Sequence, residues 1–231
     1  MATRAIDREA VRAPQGRDAA REPARADARA RRYDPAETRA RVLAAAHLLF
    51  STKGFASTGT ADIAREADVS EGSIFYHFGS KKALLAELGV RYGRMMIEAM
   101  EQGDRLEDLE PGIIIPRVFD FCRANNLWQG VGAPCVEGVG PKAAMAFNPE
   151  SEPFFQAAKA TTTEWIQRQM TVGLARRGIT GVDIELAASF THHIVGDAID
   201  RILLAATDEE AARVERETVR FVRAACGYPT H

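Results

Sequence analysis

The sequence predicts an all-α protein, and three kinds of observation support this fold class. Apolar residues recur every three or four positions in several long stretches, which places them on one face of a helix. Residues that cap helix N-termini stand directly before these stretches, and glycines follow some of them. We expect an N-terminal three-helix domain and a larger C-terminal helical domain.

Composition limits the classes of protein to consider. The chain has 231 residues, of which 46% are hydrophobic and 27% charged, as in an ordinary globular protein large enough for two domains. Lys and Arg number 30 against 32 Asp and Glu, so any basic binding surface must be local. Three cysteines without a CxxC pair indicate neither a disulfide framework nor a zinc site. No stretch has the length of a membrane helix or the apolar core of a signal peptide, so we expect a soluble, cytoplasmic protein with no membrane partner.

Residues 1–33 are rich in Arg and Ala, contain few large apolar side chains, and are predicted to be a disordered tail. Arginines recur every four residues, so a helix formed on a nucleic acid would collect them in one stripe. Pro14, Pro23 and the interleaved acidic residues oppose that helix. A solvated tail and a DNA-binding arm both remain open.

The first ordered helix is predicted to start after Asp34, an N-cap residue followed by Pro35 at the first helical position. It is predicted to end at Lys53 and Gly54, and Phe55 is expected to fold back onto that end. Its apolar residues share one face. They are Val42, Leu43, Ala46, Leu49 and Phe50.

Two short helices around a tight turn follow. Thr60 is expected to cap the second helix, residues 68–70 break it, and Ser70 caps a third helix over 71–77. This spacing predicts a helix-turn-helix, a motif that reads DNA, within a domain covering residues 34–82.

A long fourth helix, over about residues 80–102, is predicted to link this domain to the larger one at 83–231. Ser80 caps it, and Lys81 and Lys82 occupy its first turn, where the helix dipole disfavours cations. Lysines at such a place are expected to bind phosphate, and lysines kept only for solubility are the alternative.

The segments ETRARVLAAAHLLFSTKGF and TADIAREADVSEGSIFYHFGSKKALL resemble the N-terminal pattern of the TetR family of bacterial transcriptional regulators. The resemblance covers residues 37–88 and implies that the third helix enters the major groove. The residues implied nearest to base edges are Glu71, Gly72, Ser73 and Phe75. Those implied to touch phosphates are Thr60, Tyr76, His77 and Lys81. Asp68 stands where the family usually has glycine in the turn.

The residue types suit these roles. Gly72 lets the helix approach DNA closely, and Ser73 can bond to several bases. The hydroxyl of Tyr76 and the ring of His77 suit phosphate oxygens. Glu71 remains open between accepting a hydrogen bond from cytosine and only stabilising the helix N-terminus.

Four further helices are predicted in the C-terminal domain, around residues 113–122, 151–177, 182–206 and 208–225, with Asp208 as the cap of the last one. Glycines and prolines interrupt regular structure between positions 130 and 141. Aromatic and methionine side chains predict a pocket for an apolar small-molecule effector, with ordinary core packing as the alternative. The predicted pocket residues are Phe119, Cys122, Trp128, Met145, Phe147, Phe155, Thr162 and Trp165.

The family resemblance also implies that the last two helices of two subunits form a four-helix homodimer interface. The residues predicted for it are Phe190, Thr191, Ile194, Ala198, Ile202, Phe221 and Val222. A two-fold pair of short DNA-reading helices reads two half-sites about one DNA turn apart, which predicts a palindromic operator.

Catalytic and metal-binding motifs such as GxSxG and HExxH are not found, so we expect neither an enzyme nor a cofactor. His192 and His193 are adjacent on a helix and point about 100° apart, which disfavours a shared metal and favours polar contacts in an interface or pocket. Cys122 and Cys135 have no evident activating cation beside them, which disfavours a redox switch.

These expectations combine into a homodimeric repressor that binds double-stranded operator DNA and is released by a ligand. A DNA-bound architectural or protein-recruiting factor without an inducer is the main alternative. A small-molecule enzyme or carrier with a vestigial motif is a third reading, which turnover of a ligand would support.

Overall fold

The computed structural model describes residues 34–125 and 151–229, which contain eight α-helices and no β-strand. The all-α prediction is confirmed. The helices are α1 (Pro35–Lys53), α2 (Thr60–Glu66), α3 (Glu71–Phe78), α4 (Lys81–Glu101), α5 (Pro111–Ala124), α6 (Glu152–Arg176), α7 (Ile184–Leu203) and α8 (Asp208–Ala225). None of these helices combines the length and the apolar character needed to cross a membrane.

The chain divides into two compact units, residues 1–39 and 40–231. Of the first unit, the structure describes only residues 34–39. There the carboxylate of Asp34 accepts a hydrogen bond from the backbone N–H of Ala36 at 2.8 Å, so the predicted cap is present. The predicted tail at 1–33 lies outside the described residues, and the domain boundary expected near residue 82 stays a prediction.

The end of α1 follows the prediction. Gly54 has a φ of 83°, a left-handed conformation that a residue without Cβ adopts at no steric cost. The chain turns back there, and the ring centroids of Phe50 and Phe55 lie 5.1 Å apart. Both rings are buried, which fixes the start of the loop leading to α2.

The cap of α2 differs from the prediction, because Gly59 and not Thr60 is the N-cap residue. The Asp62 carboxylate accepts a hydrogen bond from the Gly59 backbone N–H at 3.2 Å, which leaves Thr60 as the first helical residue. This bond and the neighbouring guanidinium of Arg65 lower the pKa of Asp62. The Thr60 side chain is therefore available for another contact.

The predicted turn and third helix are both present. Asp68 has a φ of 52°, a conformation that Asp tolerates better than most residues, so it replaces the glycine of the family pattern without breaking the motif. Ser70 caps α3, and its hydroxyl accepts from the backbone N–H of Ser73 at 3.2 Å.

A small apolar core holds α1 to α4 together. All five predicted apolar residues of α1 are buried, as are Ile63 of α2 and Ile74 and Phe78 of α3. They pack in one cluster with leucines at 84, 85 and 88 of α4. The two short helices are thus held from one side only.

The larger core lies among α4 to α8. The most extensive contact between two helices is that of α4 with α6. A Cβ at Gly89 would lie 2.0 Å from the carbonyl oxygen of Phe154, and one at Gly93 would lie 3.0 Å from the Cβ of Thr161. These two glycines, one turn apart, let the α4 and α6 backbones meet. We call this contact the α4–α6 seam.

At the start of α8 the predicted cap is displaced by one residue. Thr207 is the N-cap, and its hydroxyl accepts from the backbone N–H of Glu210 at 3.2 Å. Asp208 is the first helical residue, where its charge suits the positive end of the helix.

Candidate nucleic-acid interface and ligand cavity

The outer face of α3 projects large side chains into solvent. Tyr76 is 84% exposed and Phe75 is 48% exposed, whereas Ile74 and Phe78 on the opposite face are buried. Glu71 and Gly72 are exposed at the start of the helix. Exposed aromatic rings on an eight-residue helix that is anchored from behind indicate a surface that meets a partner.

Ser73 and His77 complete this face, and both are half-buried. The rings of Tyr76 and His77 meet nearly at right angles, with centroids 5.1 Å apart. Packing against His77 restricts the Tyr76 ring and holds its hydroxyl away from the domain core.

A contact that sequence reasoning did not predict joins α2 to α3. The hydroxyl of Thr60 donates a hydrogen bond to the carboxylate of Glu71. Each residue stands at the first position of its helix, so the bond links the two N-termini. The residues are eleven positions apart, and no pattern in the sequence pairs them.

Lys81 makes contacts that explain why a cation occupies the first turn of α4. Its ammonium donates to the backbone carbonyls of Phe55 and Thr58, both at 2.9 Å, and lies 4.1 Å from the centroid of the Phe55 ring. The two carbonyls and the ring offset the unfavourable helix dipole. Lys81 thereby fastens the α1–α2 loop to α4, while Lys82 is exposed to solvent.

A cavity of about 360 Å³ lies between α4, α5, α6 and α7. Four of the predicted pocket residues line it, namely Cys122, Phe155, Thr162 and Trp165. Phe119 is buried in the surrounding core, and Trp128, Met145 and Phe147 lie outside the described residues. The wall also contains residues that the sequence analysis assigned to core helices or did not assign. Among them are Met96, Met100, Ile114, Ile115 and Val118.

One side of the cavity wall is polar. The Lys159 ammonium lies 3.3 Å from Nε2 of His193, whose Nδ1 lies 2.7 Å from the carbonyl oxygen of Ser189. One turn along α6, the hydroxyl of Thr162 lies 3.3 Å from Nδ1 of His192. The lysine, the threonine and both histidines line the cavity.

The cavity wall is also tied to the end of α4. The indole N–H of Trp165 donates to the carboxylate of Glu101, the last residue of α4, at 2.7 Å. Arg117 of α5 donates to the carbonyls of Met100 and Glu101 at 2.8 and 3.0 Å. These bonds join three walls of the cavity at one point.

The residues predicted for a dimer interface divide into two groups. Phe190 and Phe221 are 60% and 57% exposed, and Leu186, which was not predicted, is 51% exposed. Ala198, Ile202 and Val222 are instead buried in the chain's own core, and Thr191 and Ile194 are half-buried. Helical periodicity identified the apolar positions of α7 and α8 but not which of them this chain covers itself.

The histidine and cysteine candidates among the described residues are separated from one another or buried. His192 and His193 have ring centroids 6.1 Å apart and nearly perpendicular planes, and no group of three potential metal ligands occurs among residues 34–125 and 151–229. Cys122 is buried beside the hydroxyl of Tyr92, and Cys135 lies outside the described residues. Burial raises the pKa of the Cys226 thiol, which disfavours its reactive thiolate form.

An anchored, outward-facing α3 followed by a helical region with a cavity is typical of a helix-turn-helix protein that also binds a ligand. The family model described as "Bacterial regulatory proteins, tetR family" matches residues 42–88, which include α2, α3 and the start of α4. Over this segment the chain is similar to the TetR family of bacterial regulatory proteins.

Curated relatives share part of the sequence. The chain is 39% identical over 61 residues to the HTH-type transcriptional regulator AcrR of Shigella flexneri, and 44% identical over 52 residues to the HTH-type transcriptional regulator TtgR of Pseudomonas putida. The matches cover 26% and 22% of this chain and 28% and 25% of the relatives. The chain thus spans about a quarter of the length of these relatives.

Solved structures share the fold over most of the chain. Salmonella enterica GusR is 20% identical with a TM-score of 0.58, and the match covers 85% of this chain and 99% of GusR. The transcriptional regulator FadR from Bacillus subtilis, solved in complex with stearoyl-CoA, is 15% identical with a TM-score of 0.56, covering 80% of this chain and 97% of FadR. At these identities the likeness concerns the fold alone.

Proposed function

We propose that this protein is a sequence-specific DNA-binding transcriptional regulator, a homodimeric repressor that a small-molecule ligand releases from a palindromic operator. The observation that carries the proposal is the α3 face. Its exposed residues are Gly72 and polar or aromatic side chains, its buried residues are apolar, and it lies within the segment that matches the TetR family.

In this proposal α3 lies in the major groove. Glu71, Gly72, Ser73 and Phe75 are then nearest to base edges, where the missing side chain of Gly72 permits close approach. Tyr76 and His77 contact phosphates on one side of the groove. Lys81 reaches phosphate with its third N–H donor, since two of the three go to backbone carbonyls. Thr60 contacts phosphate through its backbone N–H at the start of α2, because its only O–H is donated to Glu71.

The cavity supports ligand control. It lies mainly between four helices, its walls are mostly apolar, and its volume falls within the range of small-molecule sites. A DNA-bound architectural or recruiting factor without an inducer has no use for such a cavity, which is why we rank that alternative second.

The α4–α6 seam supplies the connection between cavity and DNA. α6 forms one wall of the cavity, and its backbone rests directly on α4 at Gly89. α4 begins just after α3 ends, so displacement of α6 by a ligand is passed to the DNA-reading helix. Only a ligand that binds the released state more tightly shifts the equilibrium, because equal affinity for both states shifts nothing.

The exposed apolar side chains of α7 and α8 support a homodimer. Leu186, Phe190 and Phe221 would each leave more than half of their surface in water in an isolated chain. Covering them with a second copy places two α3 helices on one DNA, and each copy reads one half-site.

The test is selection of bound fragments from a genomic DNA library, followed by fluorescence anisotropy on the selected site. We expect Tyr76→Ala to weaken binding to all sequences and Ser73→Ala to change the preferred sequence. Val172→Ala, an exposed apolar residue of α6 away from α3, is the control and should bind as the wild type does. The proposal fails if no sequence is enriched, or if both α3 variants select and bind DNA as the control does.

A further inference from the structure

We propose that the ligand of the cavity is amphipathic, with an apolar body in the cavity and a carboxylate head group bound by Lys159. The inference rests on the proposed ligand-controlled function, because it names the class of molecule that the cavity accepts.

The residues that line the cavity indicate that the ligand has an apolar body. Thioether, aliphatic and indole groups, such as those of Met96, Ile115 and Trp165, form most of the lining. At about 30 Å³ for each water-sized group, a volume of 360 Å³ holds roughly 12 non-hydrogen atoms. A straight chain of medium length therefore fits.

The head group follows from the surroundings of Lys159. The Ser189 carbonyl can only accept, so Nδ1 of His193 donates to it, and in that tautomer Nε2 is the atom that faces the Lys159 ammonium. No ion pair joins Lys159 to a carboxylate of the described residues. A cation that lies beside an apolar cavity and has no carboxylate partner among the described residues is a ready partner for an anionic head group.

The neighbouring polar groups of the wall bond to one another. The hydroxyl of Thr162 lies 3.0 Å from the carbonyl oxygen of Ala158 and 3.3 Å from Nδ1 of His192, which leaves Lys159 as the group that binds the head group. Asp200 lines the cavity as well, so a cationic ligand bound through Asp200 is the competing outcome.

Three ten-carbon probes separate these outcomes: decanoate, decanol and decylammonium. Binding to the full-length protein is measured by isothermal titration calorimetry at probe concentrations below micelle formation. We expect decanoate to bind about tenfold more tightly than decanol, which corresponds to about 1.4 kcal/mol. Lys159→Met should remove this preference and retain decanol binding, which also shows that the variant folds, whereas Lys159→Arg should keep the preference. Arg168→Met removes an exposed cation from the same helix and should behave as the wild type.

Four results would overturn the inference: equal affinity for decanoate and decanol, tightest binding of decylammonium, a preference that survives in Lys159→Met, or no binding of any probe. Operator binding by the same preparations is measured in parallel. If operator binding is intact while a head-group test fails, only the ligand class is wrong. If decanoate is preferred but no operator is bound, the head-group inference stands and the proposed DNA-binding function fails.

Discussion

The α3 face and the ligand cavity are built in opposite ways. The α3 face comes from one short segment, and the side chains that would act on DNA point outward from a helix anchored by Ile74 and Phe78. The cavity comes mainly from four helices, α4 to α7, and its walls also serve as the core of the larger domain. A substitution on the α3 face should therefore change DNA recognition with little change in stability. A substitution beside the cavity should change both stability and ligand response.

The sharpest way to test this contrast compares two glycines of similar helical conformation. A Cβ at Gly89 meets the backbone carbonyl of Phe154 at 2.0 Å, a distance that forces α4 and α6 apart. A Cβ at Gly72 meets only the Ser70 hydroxyl, at 3.9 Å. We expect Gly89→Ala to lower the free energy of unfolding by roughly 2–3 kcal/mol, even though alanine improves helix propensity by about 1 kcal/mol.

Gly72→Ala should leave the free energy of unfolding unchanged or slightly raised, and it should weaken operator binding because the methyl group holds α3 away from the bases. Urea unfolding followed by circular dichroism measures the first effect, and fluorescence anisotropy measures the second. The contrast between the two regions is wrong if Gly72→Ala unfolds as early as Gly89→Ala.

The next largest effect is expected at Lys81. This residue does not fit the contrast between the α3 face and the cavity, because it serves both stability and the proposed DNA binding. Lys81→Met removes two hydrogen bonds from a charged donor and leaves the carbonyls of Phe55 and Thr58 without this partner. We expect a loss of roughly 2 kcal/mol in the free energy of unfolding. Lys82→Met, at the neighbouring exposed position, should change it by less than about 0.5 kcal/mol. Thermal unfolding of the two variants side by side tests this, and equal midpoints would show that the internal bonds of Lys81 add nothing to stability.

Local rules predicted the parts of the fold that depend on neighbours in the sequence. Asp34, Ser70 and Ser80 were predicted as caps, and all three make the expected hydrogen bonds. Thr60 was wrongly predicted as a cap because Gly59 with Asp62 satisfies the same N-terminal groups. A cap is chosen among adjacent candidates by backbone conformation, which sequence pattern alone does not determine.

Local sequence rules did not predict contacts between residues that are distant in the sequence. The partners of Lys81 lie 23 and 26 residues before it, and a lysine at a helix start was interpreted from the helix dipole alone. Four of the five predicted pocket residues that the structure describes line the cavity, and two of these four are the aromatic residues Phe155 and Trp165 of α6. The pairing of Lys159 with His193 was not predicted, since the two residues are 34 positions apart and meet only through the packing of α6 and α7. The choice between exposed Phe221 and buried Val222 on α8 likewise depends on how α8 packs against the other helices.

The smallest expected effect concerns the bond between Thr60 and Glu71, which joins the stable scaffold to the DNA-reading face. With its carboxylate held by the Thr60 hydroxyl, Glu71 has a defined direction and retains lone pairs that can accept from a cytosine amino group. Thr60→Val keeps the shape of the side chain and removes the donor. We expect the free energy of unfolding to fall by about 0.5–1 kcal/mol, because the bond is largely exposed.

The same bond should affect the preference for cytosine at one operator position. This preference should weaken in Thr60→Val. It should disappear in Glu71→Gln, because the amide places an N–H donor where the carboxylate accepted. Sequencing of DNA selected by each variant measures this preference. Selection of the same sequences by all three proteins would mean that Glu71 only stabilises the start of α3 and reads no base.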